Sequence, residues 1–278
     1  MAWPGGFTRV ANHEPRYSQP IHTIVVARFT QRIDELVRWL THPTEPANLV
    51  LAYFEQPDST AHAFGPFSVQ VWWTLAIIDH MMEYLYSKLE KAGIVLSMNL
   101  IFLSDHGMAE VKRERTFFME DFIDSSLYDL HGENPTYGIV PKPGQAKTVY
   151  QTLVENQKTY HFTVYKKKEI PVEYHYRNNR RVQPIVLLAD EGYDIFQTKM
   201  KVNHLRKTTG NHGYSNRLTS MRPFFMGVGP AFKRNYVFDK EFDIVNVYPL
   251  MKRVLKLNNL DDFPNNGSLK NVGNMLLE

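Results

Sequence analysis

Two apolar runs, 48–54 (NLVLAYF) and 100–103 (LIFL), flank a stretch in which Val71, Leu75, Ile78, Met82, Leu85 and Leu89 recur at steps of four and three. The spacing predicts a helix of about seven turns, opened by Ser68 as cap and closed by Gly93. Strand, helix, strand is the pattern of a right-handed parallel crossover, and few other folds accommodate it. One geometric consequence follows. Asp58 and Asp105 fall just past the C-terminal ends of the two predicted strands, at the sheet edge where loops converge and ligands bind in open α/β folds.

The rest of the chain extends this pattern. Ile33, Leu36, Val37 and Leu40 predict a packing helix from Phe29 that ends at His42-Pro43. Segments 184–188 and 224–228 read as further buried strands, and Ile244, Val247, Leu250 and Val254 as a closing amphipathic helix. The fold class is α/β. Residues from about 122 to 181 are richer in Tyr, Lys, Pro and Gly, with short alternating runs such as 161–165, and read as a smaller insertion of hairpins and loops. Trp72, Trp73, Met81 and Met82 read as core packing.

Three short segments carry chemistry. Asp58 and His62 are four apart, so one helical turn or a tight loop presents both to a single ion, although an N-cap aspartate beside a surface histidine has the same spacing. Asp105-His106-Gly107 follows a strand, and the glycine allows a close turn; alone, it equally suits a plain strand exit. His212 lies between Gly210 and Gly213, a context that also fits an ordinary turn. Only the set of two aspartates and three histidines is specific. Nitrogen and oxygen donors, in a chain with no cysteine, match a metal such as zinc, and two such ions about 4 Å apart suit phosphoryl chemistry. His80, His131, His161, His175 and His204 read as surface or hydrogen-bonded residues.

Composition narrows the alternatives. The absence of cysteine excludes disulfides and thiolate metal sites. Lys and Arg total 32 against 29 Asp and Glu, a balance without the concentrated basic surface of a nucleic-acid binder; the local cluster of Lys166, Lys167, Lys168, Arg177, Arg180 and Arg181 reads as a solvated hairpin face. No run reaches the roughly 18 apolar residues of a membrane span, and no export signal is legible at the start MAWPGGFTRV.

Segments 53–62 (YFEQPDSTAH), 101–108 (IFLSDHGM) and 210–214 (GNHGY), with 181–193 (RVQPIVLLADEGY), 221–225 (MRPFF) and 229–232 (GPAF), closely resemble the ectonucleotide pyrophosphatase/phosphodiesterase family of the alkaline phosphatase superfamily. The likeness is to its short, catalytic-domain-only members and runs from Trp3-Pro4-Gly5 to Asn265-Asn266-Gly267. It implies one phosphodiesterase domain over 1–278, built on a central, mostly parallel sheet flanked by helices and lacking its N-terminal strands. It also implies two zinc ions, one held by Asp58, His62 and His212, the other by Asp105 and His106 with a further aspartate, so that this chain supplies five of six ligands. The family's threonine nucleophile, sixth ligand and oxyanion-stabilising asparagine match positions upstream of Trp3, and Thr60 is not a substitute for the threonine.

The resemblance therefore leads to a zinc-dependent hydrolase of extracellular nucleotides or related phosphodiesters, inactive as this piece. A non-catalytic metal- or partner-binding remnant, or a sulfatase or phosphomonoesterase of the same superfamily, are the alternatives. The substrate implied is a small nucleotide. The parent protein is expected outside the cell or at the plasma-membrane surface, attached to a membrane only through a segment absent from this chain; Asn266-Gly267-Ser268 is a glycosylation sequon. Ser215 stands where the family has an acidic residue, and near Thr23 there is no match for its base-stacking tyrosine.

Overall fold

A computed structural model describes residues 13–18, 27–199, 209–257 and 264–277. Thr23 and His204 lie outside them. The chain divides into two compact units interleaved in sequence: Met1–Tyr53, Met81–Leu103 and Phe224–Glu278 form the first, Phe54–His80 and Ser104–Pro223 the second.

In the first unit, helix α1 (Ala27–Leu40) buries Phe29, Ile33, Leu36 and Trp39 at helical spacing, and it stops just before His42-Pro43 as the sequence predicts. The Trp39 indole donates to Glu35 at 2.9 Å, which satisfies its one polar atom. Strands β1 (Leu100–Leu103) and β10 (Phe225–Val228) pair antiparallel, Leu100 opposite Val228. Helix α5 (Val247–Val254) buries Val247 and Leu250, and Leu250 joins Phe232, Val272, Met275 and Leu276 in an apolar cluster. The predicted closing helix is thus present, although Ile244 lies before it in a separate 3-10 turn and is exposed.

The second unit holds helix α2 (Asp58–Phe64), strands β2 to β9 and helix α4 (Ala146–Asn156). Helix α3 (Val69–Lys91) begins in this unit and ends in the first. A four-stranded antiparallel sheet runs in the order β4 (Tyr128–Glu133), β5 (Thr136–Pro141), β7 (Ile185–Ala189), β6 (Phe162–Lys166). Ile139, Val149, Leu153 and Leu187 are fully buried between α4 and this sheet, the largest core cluster of the described residues. Strand β3 (Thr116–Phe118) pairs parallel with β8 (Asp194–Phe196), and β2 (Ala109–Glu110) pairs antiparallel with β9 (Gly210–Asn211).

Several expectations are corrected. Among the described residues segment 48–54 forms no ladder, with Ala52 alone a bridge residue, and none of its residues is buried. A run of strand length becomes a strand only where a neighbour takes its backbone hydrogen bonds, and no described strand pairs with this one. The α/β class stands, yet every described ladder except β3–β8 is antiparallel, so the parallel sheet is not found among the described residues. Strands β1 and β10 are half-buried to exposed rather than buried. The stretch from 122 to 181 carries α4 in addition to hairpins, and two of its own residues, Val149 and Leu153, supply that helix's buried face. Along α3 only Val71 and Leu89 are buried; Trp72 and Trp73, expected in the core, are 70% and 69% exposed. Helical spacing establishes which side chains share a face, not what covers it.

Candidate metal centre

Strand β9 joins the three segments that carry the candidate ligands. On one side it pairs with β2, Ala109 opposite Asn211 and Glu110 opposite Gly210, and β2 is the continuation of the Asp105-His106-Gly107 turn. On the other side it meets α2: the Thr209 amide donates to the His62 carbonyl at 2.9 Å. The approach is so close that a Cβ on Gly210 would lie 2.4 Å from the Ala61 carbonyl oxygen. Glycine at 210 is what allows helix and strand to touch.

The four-residue spacing of Asp58 and His62 is realised on α2, with Asp58 at its first position and its side chain making no cap. The N-cap alternative for Asp58 therefore does not apply. Asp58 Oδ1 is buried and accepts no hydrogen bond of ordinary geometry. Around it stand the Nε2 atoms of His62 at 3.4 Å, His212 at 3.5 Å and His106 at 4.0 Å. His106 Nε2 is also 3.5 Å from Asp105 Oδ1. The His106 and His212 rings stack with centroids 3.5 Å apart, and His62 lies 4.9 Å from His212. All five residues singled out from the sequence come together in the second unit, and Asp58, His62 and His212 form a candidate metal-binding group.

Outer contacts set the imidazoles in a ligating form. His62 Nδ1 lies 2.8 Å from the Gly210 carbonyl, and His106 Nδ1 lies 2.8 Å from the Gly107 carbonyl. A carbonyl only accepts, so each Nδ1 carries the proton and each Nε2 of the neutral ring presents a lone pair. Burial, then the adjacent His106, holds the His212 imidazole below its ordinary pKa, which favours the neutral form a metal requires. For Asp58 burial opposes ionisation, but the adjacent His62, with His212 and His106, outweighs it and lowers the pKa. An ionised oxygen left without a hydrogen-bond donor and ringed by imidazole nitrogens fits a cation.

Residues that the sequence did not single out hold this cluster. Asn211, inside the GNHGY segment, accepts the His212 amide on its side-chain oxygen at 2.9 Å and donates to the buried Asp194 carboxylate at 2.9 Å. Thr136 donates to the Gly213 carbonyl at 2.9 Å. The one available signal was the asparagine itself, a polar side chain between a glycine and a candidate ligand histidine. Thr60 Oγ1 donates to Gln56 at 2.8 Å, which occupies its proton away from the cluster. Ser215 bonds the Tyr174 hydroxyl at 2.8 Å. Of the histidines set aside, His80, His131 and His175 are exposed, and His161 stacks on Tyr193 with centroids 4.1 Å apart.

Comparison with known proteins gives the family. Residues 1–215 match the family model described as type I phosphodiesterase / nucleotide pyrophosphatase. The chain is 37% identical over 275 residues to human ectonucleotide pyrophosphatase/phosphodiesterase family member 5, covering 99% of this chain and 55% of the relative. It is 36% identical over 272 residues to the Xenopus laevis bis(5'-adenosyl)-triphosphatase enpp4, covering 97% and 57%. The structure matches that of murine ectonucleotide pyrophosphatase/phosphodiesterase 5 with a TM-score of 0.90 at 36% identity, over 99% of this chain and 70% of that one. An inactive variant of the murine protein was solved in complex with AMP, with the same TM-score and identity. The chain thus spans little more than half the length of these curated relatives. On the family match and the relatives' identity, the chain belongs to the type I phosphodiesterase / nucleotide pyrophosphatase family, and its fold is the α/β fold of ectonucleotide pyrophosphatase/phosphodiesterase 5.

Proposed function

We propose that residues 1–278 are part of one catalytic domain of a zinc-dependent nucleotide pyrophosphatase or phosphodiesterase that acts on small extracellular nucleotides, and that Asp58, His62, Asp105, His106 and His212 are five of six ligands to two zinc ions. The observation that carries the proposal is Asp58 Oδ1, buried without a hydrogen bond and within 4.0 Å of three imidazole Nε2 atoms. Asp58, His62 and His212 would hold one ion, and Asp105 with His106 would contribute to the other. Bound zinc supplies positive charge to phosphoryl oxygens and lowers the pKa of a coordinated nucleophile.

The chain's own residues prepare that chemistry. The Gly210 and Gly107 carbonyls fix the tautomers of His62 and His106, so ligation requires no proton rearrangement. Asp58 brings one negative charge to a point shared by three imidazoles. With its proton donated to Gln56, Thr60 is not placed as a nucleophile, and the 278-residue chain alone is expected to bind metal without turning over substrate. An extracellular setting suits the relatives' names, and the exposed Asn266 of the sequon is open to glycosylation there. Among the described residues no helix is long and apolar enough to cross a membrane.

The test is metal content and zinc affinity of the purified chain beside His212→Ala. Zinc binding that weakens by more than the roughly 10–100-fold cost of losing an outer partner supports the site. A chain that binds no zinc, or a variant with unchanged stoichiometry and affinity, overturns it. Zinc-dependent hydrolysis of p-nitrophenyl nucleotide esters by this chain would refute its inactivity and leave the metal site standing.

A further inference from the structure

His212 sits in a loop, yet the backbone on both sides of it is tied to the sheet portion of the second unit. On its N-terminal side Asn211 bridges two groups: its side-chain oxygen accepts the His212 amide, and its Nδ2 donates to Asp194 Oδ1, each at 2.9 Å. Asp194 is 2% exposed and Asn211 8% exposed. Asn134, in the β4–β5 turn, donates to the same Asp194 oxygen and accepts the Ile195 amide at 2.9 Å, which fixes the carboxylate at the start of β8. On the C-terminal side Thr136, the first residue of β5, holds the Gly213 carbonyl.

A carboxylate so deeply buried is costly to desolvate, and the hydrogen bonds it accepts only offset that cost. An apolar residue at the start of β8 could extend the core cluster that already contains Ile195. The polar group there gains something other than packing: direction. Amide donors converging on one oxygen fix the Asn211 side chain, and through it the backbone from which the imidazole projects.

We infer that Asp194, acting through Asn211, and Thr136 position His212 for its ligand role, so that metal affinity at this site depends on residues that touch no metal. The inference rests on the proposed metal site, and His212→Ala separates the two. Binding of Zn²⁺ and Co²⁺ alone to the 278-residue chain is measured by calorimetry, with the visible Co²⁺ bands as a report on ligand geometry. Asn211→Ala and Asp194→Ala are each expected to weaken zinc by about 10–100-fold and to alter the Co²⁺ spectrum. The double variant should be no worse than the weaker single variant, because both cut one path. Asp194→Asn should restore affinity to within about threefold of wild type, since a carbonyl oxygen has two lone pairs for the two amide donors that now share Oδ1.

If His212→Ala loses zinc while folded Asn211→Ala keeps wild-type affinity and spectrum, the positioning inference is wrong and the metal site stands. If His212→Ala also binds as wild type, the site itself is wrong. Should the alanine variants fail to fold, Thr136→Val decides: valine suits a strand, so the fold is kept, and a loss of about threefold or more in zinc affinity is expected. Unchanged affinity in that variant overturns the inference.

Discussion

Gly107→Ala is expected to damage both stability and the metal centre, and the structure gives the scale. A Cβ on residue 107 would lie 1.9 Å from the Ser220 carbonyl oxygen, 2.8 Å from its carbon and 3.1 Å from the Met221 carbonyl carbon, all backbone atoms. Ordinary contact requires about 3.4–4 Å, so one of the two chain segments must retreat by more than 1 Å, with no flexible side chain to absorb the move. That retreat breaks the 3.0 Å bond from the Gly107 amide to the Met221 carbonyl. Overpacking costs about 1–3 kcal/mol and the lost hydrogen bond about 1, so a destabilisation of about 2–4 kcal/mol is expected. The Gly107 carbonyl that sets the His106 tautomer moves as well, so zinc affinity should fall in the fraction that remains folded. The assay is urea unfolding with linear extrapolation, alongside zinc titration. Gly144→Ala is the control: residue 144 lies in the same unit at φ +79 with nothing within 4 Å of an added Cβ, so it reports backbone strain without a clash. Equal destabilisation of the two variants, with zinc affinity unchanged in Gly107→Ala, refutes the reasoning.

Two further predictions concern the core beneath the site. Leu153→Ala, at a fully buried position where α4 meets the sheet, should cost about 2–5 kcal/mol in the second unit; a urea-derived loss under 1 would mean that α4 is not part of its core. Burial pushes the Tyr128 phenol up to about 12, and it also raises Tyr137 and Tyr214. Because the folded value of Tyr128 exceeds the unfolded one, its contribution is fully present below pH 10 and is lost as the pH climbs from about 10 to 12, an effect of about 3 kcal/mol at the top of that window. Tyr128→Phe should flatten the fall of unfolding free energy across that range, and an unchanged slope would count against the assignment.

How far the fold could be read depended on whether an element's identity lies within itself. Helix α1 was legible because Phe29, Ile33 and Leu36 share one face and His42-Pro43 forbids continuation. Strand β7 was legible because a strand flanked on both edges, by β5 and β6, is apolar along its whole length. Segment 48–54 is also largely apolar yet forms no ladder among the described residues, since a strand is a relation between two segments and the residues of one do not name its partner. Trp72 and Trp73 failed in the same way: two adjacent large aromatics suggest a core, but burial is decided by what packs on that face. The direction of β1 against β10 was equally invisible, because an apolar run pairs in either sense.

The site divides along a similar line. Asp58, His62, Asp105, His106 and His212, the proposed ligands, were legible because ligation demands particular atoms, and few residue types carry them. Asp194 and Thr136 were not, because nothing in an aspartate at the start of a strand or a threonine after a proline tells of a histidine loop; Asp194 is 17 positions from Asn211 and Thr136 is 77 from Gly213. The fold alone brings them there. The same separation explains the division of labour at the cluster: five side chains carry the donor atoms, while the backbone at Gly107, Gly210 and Gly213 and the buried Asp194 decide where those atoms point. If the proposed site holds, a homologue could therefore keep all five candidate donors and still lose metal affinity through a change at a residue with no ligand atom to betray it, and the Gly107→Ala and Asn211→Ala variants measure how large that hidden part is.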